Sequence, residues 1–387
     1  MKNVLLVFGG KSYEHDISVV TASQIIKRTK LEDIRLVPFY ISRDNKFYIY
    51  DSIDFEISDF SIKNFKPNKK KFKEVAFVSN EQNIIFSKTR FGLKEYLKTE
   101  TAIFACHGGD GENGKLLSLF EFANISCSTG SFDSLSVCMN KYLFKQVMKG
   151  FKIPVVSGFK ISKVEFENNT ESYQKKISHL KFPVVLKPNN GGSSIGIFIA
   201  NSIEELQSEI YSVFEFDNEV LIERYIEDCR EFNVAVLGNL EKFEVSEVDE
   251  PLKKNEILTF SDKYLSNEDS KGEKFGEGLK NSMASSSRKF PAEISEELKI
   301  KLQKFSSLIF SNLNLSGVVR IDFLYNEKND KLYVCEVNSI PGSLAFYFFN
   351  NKKLVLNDFV LNLVEIAEKN RDFKLKINEK FLTEILD

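Results

Sequence analysis

Val318 to Asn338 reads VVRIDFLYNEKNDKLYVCEVN. Two apolar runs rich in Val, Ile, Phe and Tyr flank the polar NEKND, the pattern of two antiparallel strands with a tight connection. Side chains alternate faces along a strand. Arg320, Asp322 and Leu324 therefore share one face, and Leu332, Val334, Glu336 and Asn338 share a face of the partner strand. The expected register makes these the same face. Directly opposite residues on paired strands lie about 5 Å apart and diagonal ones about 7–8 Å. Asp322 and Glu336 are then close enough to hold one hard cation, with the Asn338 carboxamide adding a neutral oxygen.

The plainer reading of this face is that Arg320 only neutralises two acids on a wet sheet, an arrangement worth little. Against it, two carboxylates and a carboxamide beside Leu324 and Val334, with one fixed cation aimed at them, form an oxygen set suited to magnesium-phosphate chemistry. A magnesium-nucleotide site is the first hypothesis.

The chain has 387 residues, more than the roughly 250–300 at which a single core stops growing, so two or three domains are expected. Its 53 basic and 55 acidic residues leave a formal charge of -2. That balance supplies no field to attract nucleic acid or an anionic membrane, and neither is expected as a partner. The opening MKNVLLVF meets Gly9-Gly10-Lys11 too early for a signal-peptide core, and no segment is long enough to span a bilayer; a cytoplasmic location is expected. Cys106, Cys127, Cys138, Cys229 and Cys335 are odd in number and scattered, with no CxxC pair, which points to reduced thiols. His15, His107 and His179 are too dispersed for a zinc site by spacing, so any metal is expected on oxygens.

In chain order, Asn3 to Phe8 forms an apolar strand ending in Gly9-Gly10, and SYEHDISVVTASQIIKRTK has helical periodicity after a serine cap. A second strand at Arg35 to Ile41 and an apolar run at Thr101 to Cys106 continue the alternation, which favours a parallel sheet with crossover helices. The charged, Phe-rich stretch from Asp51 to Lys98 carries no assigned role. His107-Gly108-Gly109-Asp110-Gly111-Glu112-Asn113-Gly114 leaves a strand and enters a helix, where open parallel sheets place their ligands; a purely geometric turn is the alternative. SFDSLSVCMNKYLFKQVMKGFKIP reads as one capped amphipathic helix, with a domain boundary near Phe132.

Between two further strands lies Lys187-Pro188-Asn189-Asn190-Gly191-Gly192-Ser193-Ser194-Ile195-Gly196. Gly-rich phosphate loops of the Walker and Rossmann kinds open a helix; this one joins strands and reads as a flap whose amides and Lys187 can approach phosphate, or else as an ordinary hairpin. Val220 to Ile226 is a strand with Glu223 inside it. The polar segment from about Asp249 to Pro291, holding Lys263 and Tyr264, has the length of a functional lid. A helix then leads back to the hairpin, and LVLNDFVLNLVEIAEKNR closes the sequence as another.

The ordered set of Lys141, the Lys187–Gly196 flap, the Glu223 hinge, Lys263-Tyr264, Arg320-Ile321-Asp322 and Glu336-Val337-Asn338 resembles the D-alanine-D-alanine ligases, which are ATP-grasp enzymes. The likeness runs from FGGKSYEHDIS through HGGDGENG and MNK to EVNSIPG. It implies an α/β ATP-grasp fold: an N-terminal parallel-sheet, Rossmann-like domain (1–132), a central lid domain (133–226) and a C-terminal domain with the metal site (227–387). It implies that Lys141 and Lys187 hold ATP phosphates, that the backbone of Glu223, Arg224, Tyr225 and Ile226 binds adenine, and that Glu231 binds ribose. Asp322, Glu336 and Asn338 would be the ligands of two magnesium ions, which manganese can replace. Glu14, Ser193 and Tyr264 would order the first amino acid and the closing loop, with His107 near them and Lys263 reaching phosphate. Arg320 and the Gly342 amide would face a developing oxyanion.

The implied activity is ATP-dependent joining of two D-alanines through an acyl phosphate, for peptidoglycan precursors, by a homodimer. One departure matters. Where the family usually has a serine for the second substrate's carboxylate, this chain has Tyr347, with Ser343 or the Tyr347 hydroxyl as candidate substitutes. An ATP-grasp ligase joining D-alanine to D-serine or D-lactate, or joining a different amino acid pair, is therefore an alternative, with Tyr264 arguing against lactate because ester-forming relatives commonly have Phe there. A nucleotide-binding regulator that retains the fold without turnover is a third reading, disfavoured by retention of Arg320, both acids and both lysines.

Overall fold

The structure is a computed structural model and describes residues 1–52, 54–60, 65–77, 84–252, 288–350 and 354–375. Seventeen strands fall into three sheets among the described residues. The first contains β1 (Lys2–Gly9), β2 (Ile34–Ile41), β3 (Phe47–Tyr50), β4 (Phe72–Phe77), β5 (Ile84–Thr89), β6 (Gly92–Lys98), β7 (Thr101–Phe104) and β8 (Ser126–Cys127), in the order β6-β5-β4-β3-β2-β1-β7-β8. β1 pairs in parallel with β2 and β7, and β7 with β8. Its run from Val4 to Phe8 is fully buried, as expected of a parallel strand covered on both faces. Helix His15–Arg28 makes the crossover from β1 to β2. Its N-cap is Glu14 without a side-chain cap bond; the expected serine, Ser12, instead accepts from the Glu14 amide at 2.9 Å and donates to the His107 carbonyl at 2.7 Å.

From β2 outward the sheet turns antiparallel, β3 to β6 being joined edge to edge. The β2–β3, β4–β5 and β5–β6 connections are too short for the long crossover that a parallel pair needs. The later part of the stretch left without a role thus extends the sheet as β4, β5 and β6. Three of its phenylalanines build the core here: Phe55, Phe60 and Phe72 pack around Tyr50 with ring centroids 5.0–5.3 Å apart, and Phe60 reaches Tyr40 at 4.9 Å.

The second sheet holds β9 (Gly158–Ser162), β10 (Val184–Pro188), β11 (Phe198–Ala200) and β12 (Glu219–Arg224), ordered β11-β10-β12-β9 and antiparallel throughout. The third holds β13 (Cys229–Gly238), β14 (Phe243–Pro251), β15 (Arg288–Lys289), β16 (Gly317–Asn326) and β17 (Lys331–Asn338), ordered β15-β14-β13-β16-β17. β16 enters through Gly317 at φ +83°, where a Cβ would stand 2.0 Å from the Ser128 carbonyl oxygen. That clearance and that dihedral admit only glycine.

Two expectations are corrected. The stretch read as one helix is two, Phe132–Met139 and Lys141–Gly150. Asn140 adopts φ -87°, ψ 97° between them and caps the second by accepting from the Leu143 amide at 2.9 Å. Cys138, Phe144 and Met148 then pack with β13, β16 and β17. The hairpin also carries a bulge: Arg320 faces Asn338 and Asp322 faces Glu336, but the next pair is Phe323 with Val334. Cys335 is the extra residue, so parity switches. Leu332 and Val334 lie in the core rather than beside the acids.

Helix Leu356–Leu375 returns to the first sheet and packs on β7 and β8, burying Phe359, Val360, Leu363 and Val364 in its core. All five cysteines are free thiols. No helix among the described residues is long and apolar enough to cross a membrane.

Candidate active site

The second and third sheets face each other across a cleft lined by Lys141, Lys187, Ser194, Glu223 to Ile226, Glu231, Asn233, Asp322, Leu324, Cys335 and Glu336. The third sheet supplies its acidic floor. Asp249 on β14 lies opposite Asn233, Asn233 opposite Asp322, and Asp322 opposite Glu336, so four polar side chains cross four strands in one row. The Arg320 guanidinium forks onto Asp322 with Nε to Oδ1 at 2.7 Å and a second donor to Oδ2 at 2.8 Å. The Asn338 amide donates to Oδ2 at 3.0 Å. The Asp322 carboxyl group is thereby held in a fixed plane. Burial pushes the Asp249 carboxyl up to about 6, against the pull of Arg288 and Arg320.

Cations enter from the other side. Lys141 opens its helix directly after the Asn140 cap; its Nζ donates to the Gly191 carbonyl and lies 4.0 Å from Glu336. Burial lowers its pKa, Glu336 raises it and Lys187 lowers it, the net direction being down. Lys187, on β10, pairs with Glu223 on the neighbouring β12, and Lys145 pairs with the same carboxylate. Burial opposes the Glu223 charge, but the two lysines outweigh it and hold this carboxyl well below its usual range. Lys187 is held well above the usual lysine range, Glu223 overcoming burial. Lys145 sits four residues after Lys141, on the same helical face. Sequence reading passed over it, because only the tertiary fold shows that both lysines turn inward.

The loop from Asn189 to Ile197 closes over one end of the cleft. Asn189 is buried and anchored: it donates to Glu219 at 2.8 Å and accepts from the Tyr142 amide at 2.9 Å. The Ser193 hydroxyl donates to Glu14, joining the flap to the first sheet's opening loop. Gly108 meets the same carboxylate, since at φ +66° a Cβ would fall 2.4 Å from Glu14 Oε2.

His107 is buried between two elements. Its Nδ1 bonds the Ile340 carbonyl at 2.7 Å and its Nε2 bonds Thr21 Oγ1 at 2.9 Å. Burial lowers its pKa to about 4, with the Ile340 carbonyl raising it and Arg320 lowering it. The imidazole is then neutral, with Nδ1 donating and Nε2 accepting. Thr21 also accepts from the Ser343 amide at 3.2 Å, so one chain of hydrogen bonds ties helix His15–Arg28 to the turn that starts at Gly342. Glu112, which sequence reading also passed over, accepts from the Gly108 and Ile340 amides at 2.9 and 3.1 Å. Burial, followed by the charge of Glu14, raises its carboxyl to about 7. Its only advance signal was an acid inside a glycine loop.

The Ser343 hydroxyl donates to Gln24 at 2.9 Å, so it is engaged with helix His15–Arg28. Ser343, Leu344 and Ala345 all take left-handed φ values of 48–50°. Tyr347 follows, and Arg288 stacks on its ring at 4.4 Å. Lys263 and Tyr264 lie outside the described residues.

Residues 3–131 match the D-ala D-ala ligase N-terminus family and residues 147–364 the D-ala D-ala ligase C-terminus family. A D-alanine-D-alanine ligase of Thermosipho melanesiensis is 32% identical over 376 residues, covering 97% of this chain and 96% of that protein. One of Campylobacter lari is 32% identical over 382 residues, covering 98% and 97%. Among solved structures, the D-alanine-D-alanine ligase of Helicobacter pylori superposes with a TM-score of 0.71 at 26% identity, covering 95% of this chain and 98% of that one. A D-Ala:D-Ser ligase of Enterococcus faecalis, at 23% identity with a TM-score of 0.77 over 95% and 99% of the two chains, shares the fold. With both halves matched and about a third of its residues identical to those of full-length relatives, the chain belongs to the D-alanine-D-alanine ligase family.

Proposed function

We propose that this chain joins two D-alanines at the expense of ATP, as a step in peptidoglycan precursor synthesis. The observation that carries the reading is the meeting, in one cleft, of Lys141 and Lys187 from one side with Asp322 and Glu336 from the other. Such a cleft accepts a nucleotide at Glu223 to Ile226, with Glu231 beside the ribose and the two lysines against the phosphates.

The oxygen donors of Asp322, Glu336 and Asn338 suit a hard divalent cation, because two of them are carboxylates directly opposite one another across a strand pair. Magnesium, as one or two ions, or manganese would be held there. When bound it would screen phosphate charge and polarise the transferring phosphoryl group.

A carboxylate is a poor electrophile and must be activated. Transfer of the γ-phosphoryl group from ATP to a carboxylate oxygen of the first D-alanine forms an acyl phosphate and releases ADP. Attack by the amine of the second D-alanine forms the C–N bond, expels phosphate and releases a proton. Glu14 and Ser193 order the first amino acid. Arg320, charged at any working pH, and the Gly342 amide stabilise the tetrahedral oxyanion. His107, neutral and hydrogen-bonded at both ring nitrogens, positions the Ile340–Ser343 turn. The flap excludes water that would hydrolyse the acyl phosphate.

The test is ADP release in the presence of D-alanine, D-serine and D-lactate in competition, with products identified by mass spectrometry. D-alanyl-D-alanine is expected as the main product. A different pair would move the substrate assignment and leave the ligase chemistry standing; ADP release that ignores D-amino acids would overturn both.

A further inference from the structure

The flap is folded against its own preference. Ser193 and Ser194 take left-handed φ values of 53° and 58°, which cost free energy for residues that carry a side chain, so surrounding contacts must hold them there. Some of these contacts come from the flap's own sheet. The Asp217 carboxylate accepts from the Asn190 amide at 2.6 Å and from its side-chain nitrogen at 3.0 Å. Phe216, in the turn between helix Ile203–Phe214 and β12, covers the flap's far root. At φ +72° a Gly196 Cβ would fall 2.7 Å from the Phe216 ring and 3.0 Å from Pro188.

Other contacts come from the opening loop of the first sheet. The Glu14 carboxylate accepts from Ser193 near the flap's tip, and a Cβ on Gly192 would stand 3.1 Å from it. The residue before it reaches the root. Tyr13 is 63% exposed, so its ring adds little to the stability of the fold. Its ring nevertheless lies edge-on to Phe216, with centroids 6.0 Å apart and planes at 66°. That is the favourable geometry of an aromatic pair, and it joins the first sheet's loop to the second sheet's turn. Two successive residues of one loop thus grip the flap at its tip and at its root.

We propose that Tyr13 is a positioning residue that, by packing on Phe216, keeps the flap shut over the acyl phosphate until the amine attacks. The assignment rests on the ligase reading above and concerns what keeps water out of that site. With the flap open, water takes the place of the amine and attacks the acyl phosphate. D-alanine, inorganic phosphate and a proton are then released, and ATP is consumed without a new C–N bond.

Two readouts test the contact. One is hydrogen exchange at the amides of residues 190–196 in the protein without substrates; the other is the excess of ADP released over D-alanyl-D-alanine formed. In Tyr13→Ala both should rise about two- to tenfold over wild type, the range expected for loss of one aromatic pair. Tyr13→Phe, which retains the ring, should match wild type. Phe216→Ala should shift both readouts at least as far, and adding Tyr13→Ala to it should change nothing further. If Phe216→Ala does not fold, the two Tyr13 variants decide. Unchanged flap exchange or unchanged excess ADP in Tyr13→Ala, an equal shift in Tyr13→Phe, or an additive double variant would each overturn the role of Tyr13. A wild type that releases no ADP with D-alanine would instead overturn the ligase reading, with flap exchange still judging the contact.

Discussion

At Glu223 one carboxylate, 3% exposed, is shared by Lys145 and Lys187. Removing the common partner of buried charges is costlier than removing a surface pair, because the remaining ions keep their desolvation penalty. Glu223→Gln is therefore expected to lower stability by roughly 3–5 kcal/mol, read from urea unfolding; a change under about 1 kcal/mol would show that the lysines reach water. Glu336 is the contrasting case, partly exposed and 4.0 Å from Lys141. Glu336→Gln should leave the melting temperature nearly unchanged while reducing kcat about a hundredfold or more at limiting magnesium. Near-normal turnover of that variant would remove Glu336 from the metal site. Asp322, Glu336 and Arg320 were legible in advance because strand alternation places them without any tertiary knowledge. Lys145 and Glu112 were not, since each draws its meaning from a partner far away in sequence, Glu223 and the Ile340 amide.

Among elements, the hairpin and the broken helix show where pattern reading stops. Leu332, Val334 and Val337 are the buried residues of β17, spaced by two and then by three. That change of step announces the bulge, and it puts Cys335 as well as Glu336 on the cleft. In the helix pair, the apolar periodicity continues across the break, so Asn140 is easily taken for an interior residue. Its side chain nonetheless caps Lys141–Gly150 and its backbone bridges to Asn190 in the flap. Losing an asparagine cap costs about 1 kcal/mol. Asn140→Ala should accordingly lower the melting temperature by about 2–4 °C, and it should also weaken ATP binding because Lys141 is the first residue the cap positions. Calorimetry on this variant with unchanged nucleotide affinity would show that the cap serves the helix alone.

The molecule as a whole closes on its own beginning. Helix Leu356–Leu375 lies on β7 and β8, with Asn370 donating to the Cys127 and Thr129 carbonyls at 3.1 and 3.3 Å and Glu368 pairing with Lys2. Leu363 is 1% exposed in that contact. Truncating a buried leucine to alanine costs roughly 2–5 kcal/mol, and for Leu363→Ala the loss should appear as faster hydrogen exchange at β1, β7 and β8. Exchange confined to the helix itself would mean that the sheet holds without its cover. This docking also sets a timetable for the newborn polypeptide. The strands that need the helix are complete at Cys127, yet the helix begins roughly 230 residues later, which at about 5–20 residues per second is about 10–45 seconds of translation. Throughout that interval the flank that Phe359, Val360, Leu363 and Val364 later cover lacks this helix, and apolar surface exposed that long favours association with other chains.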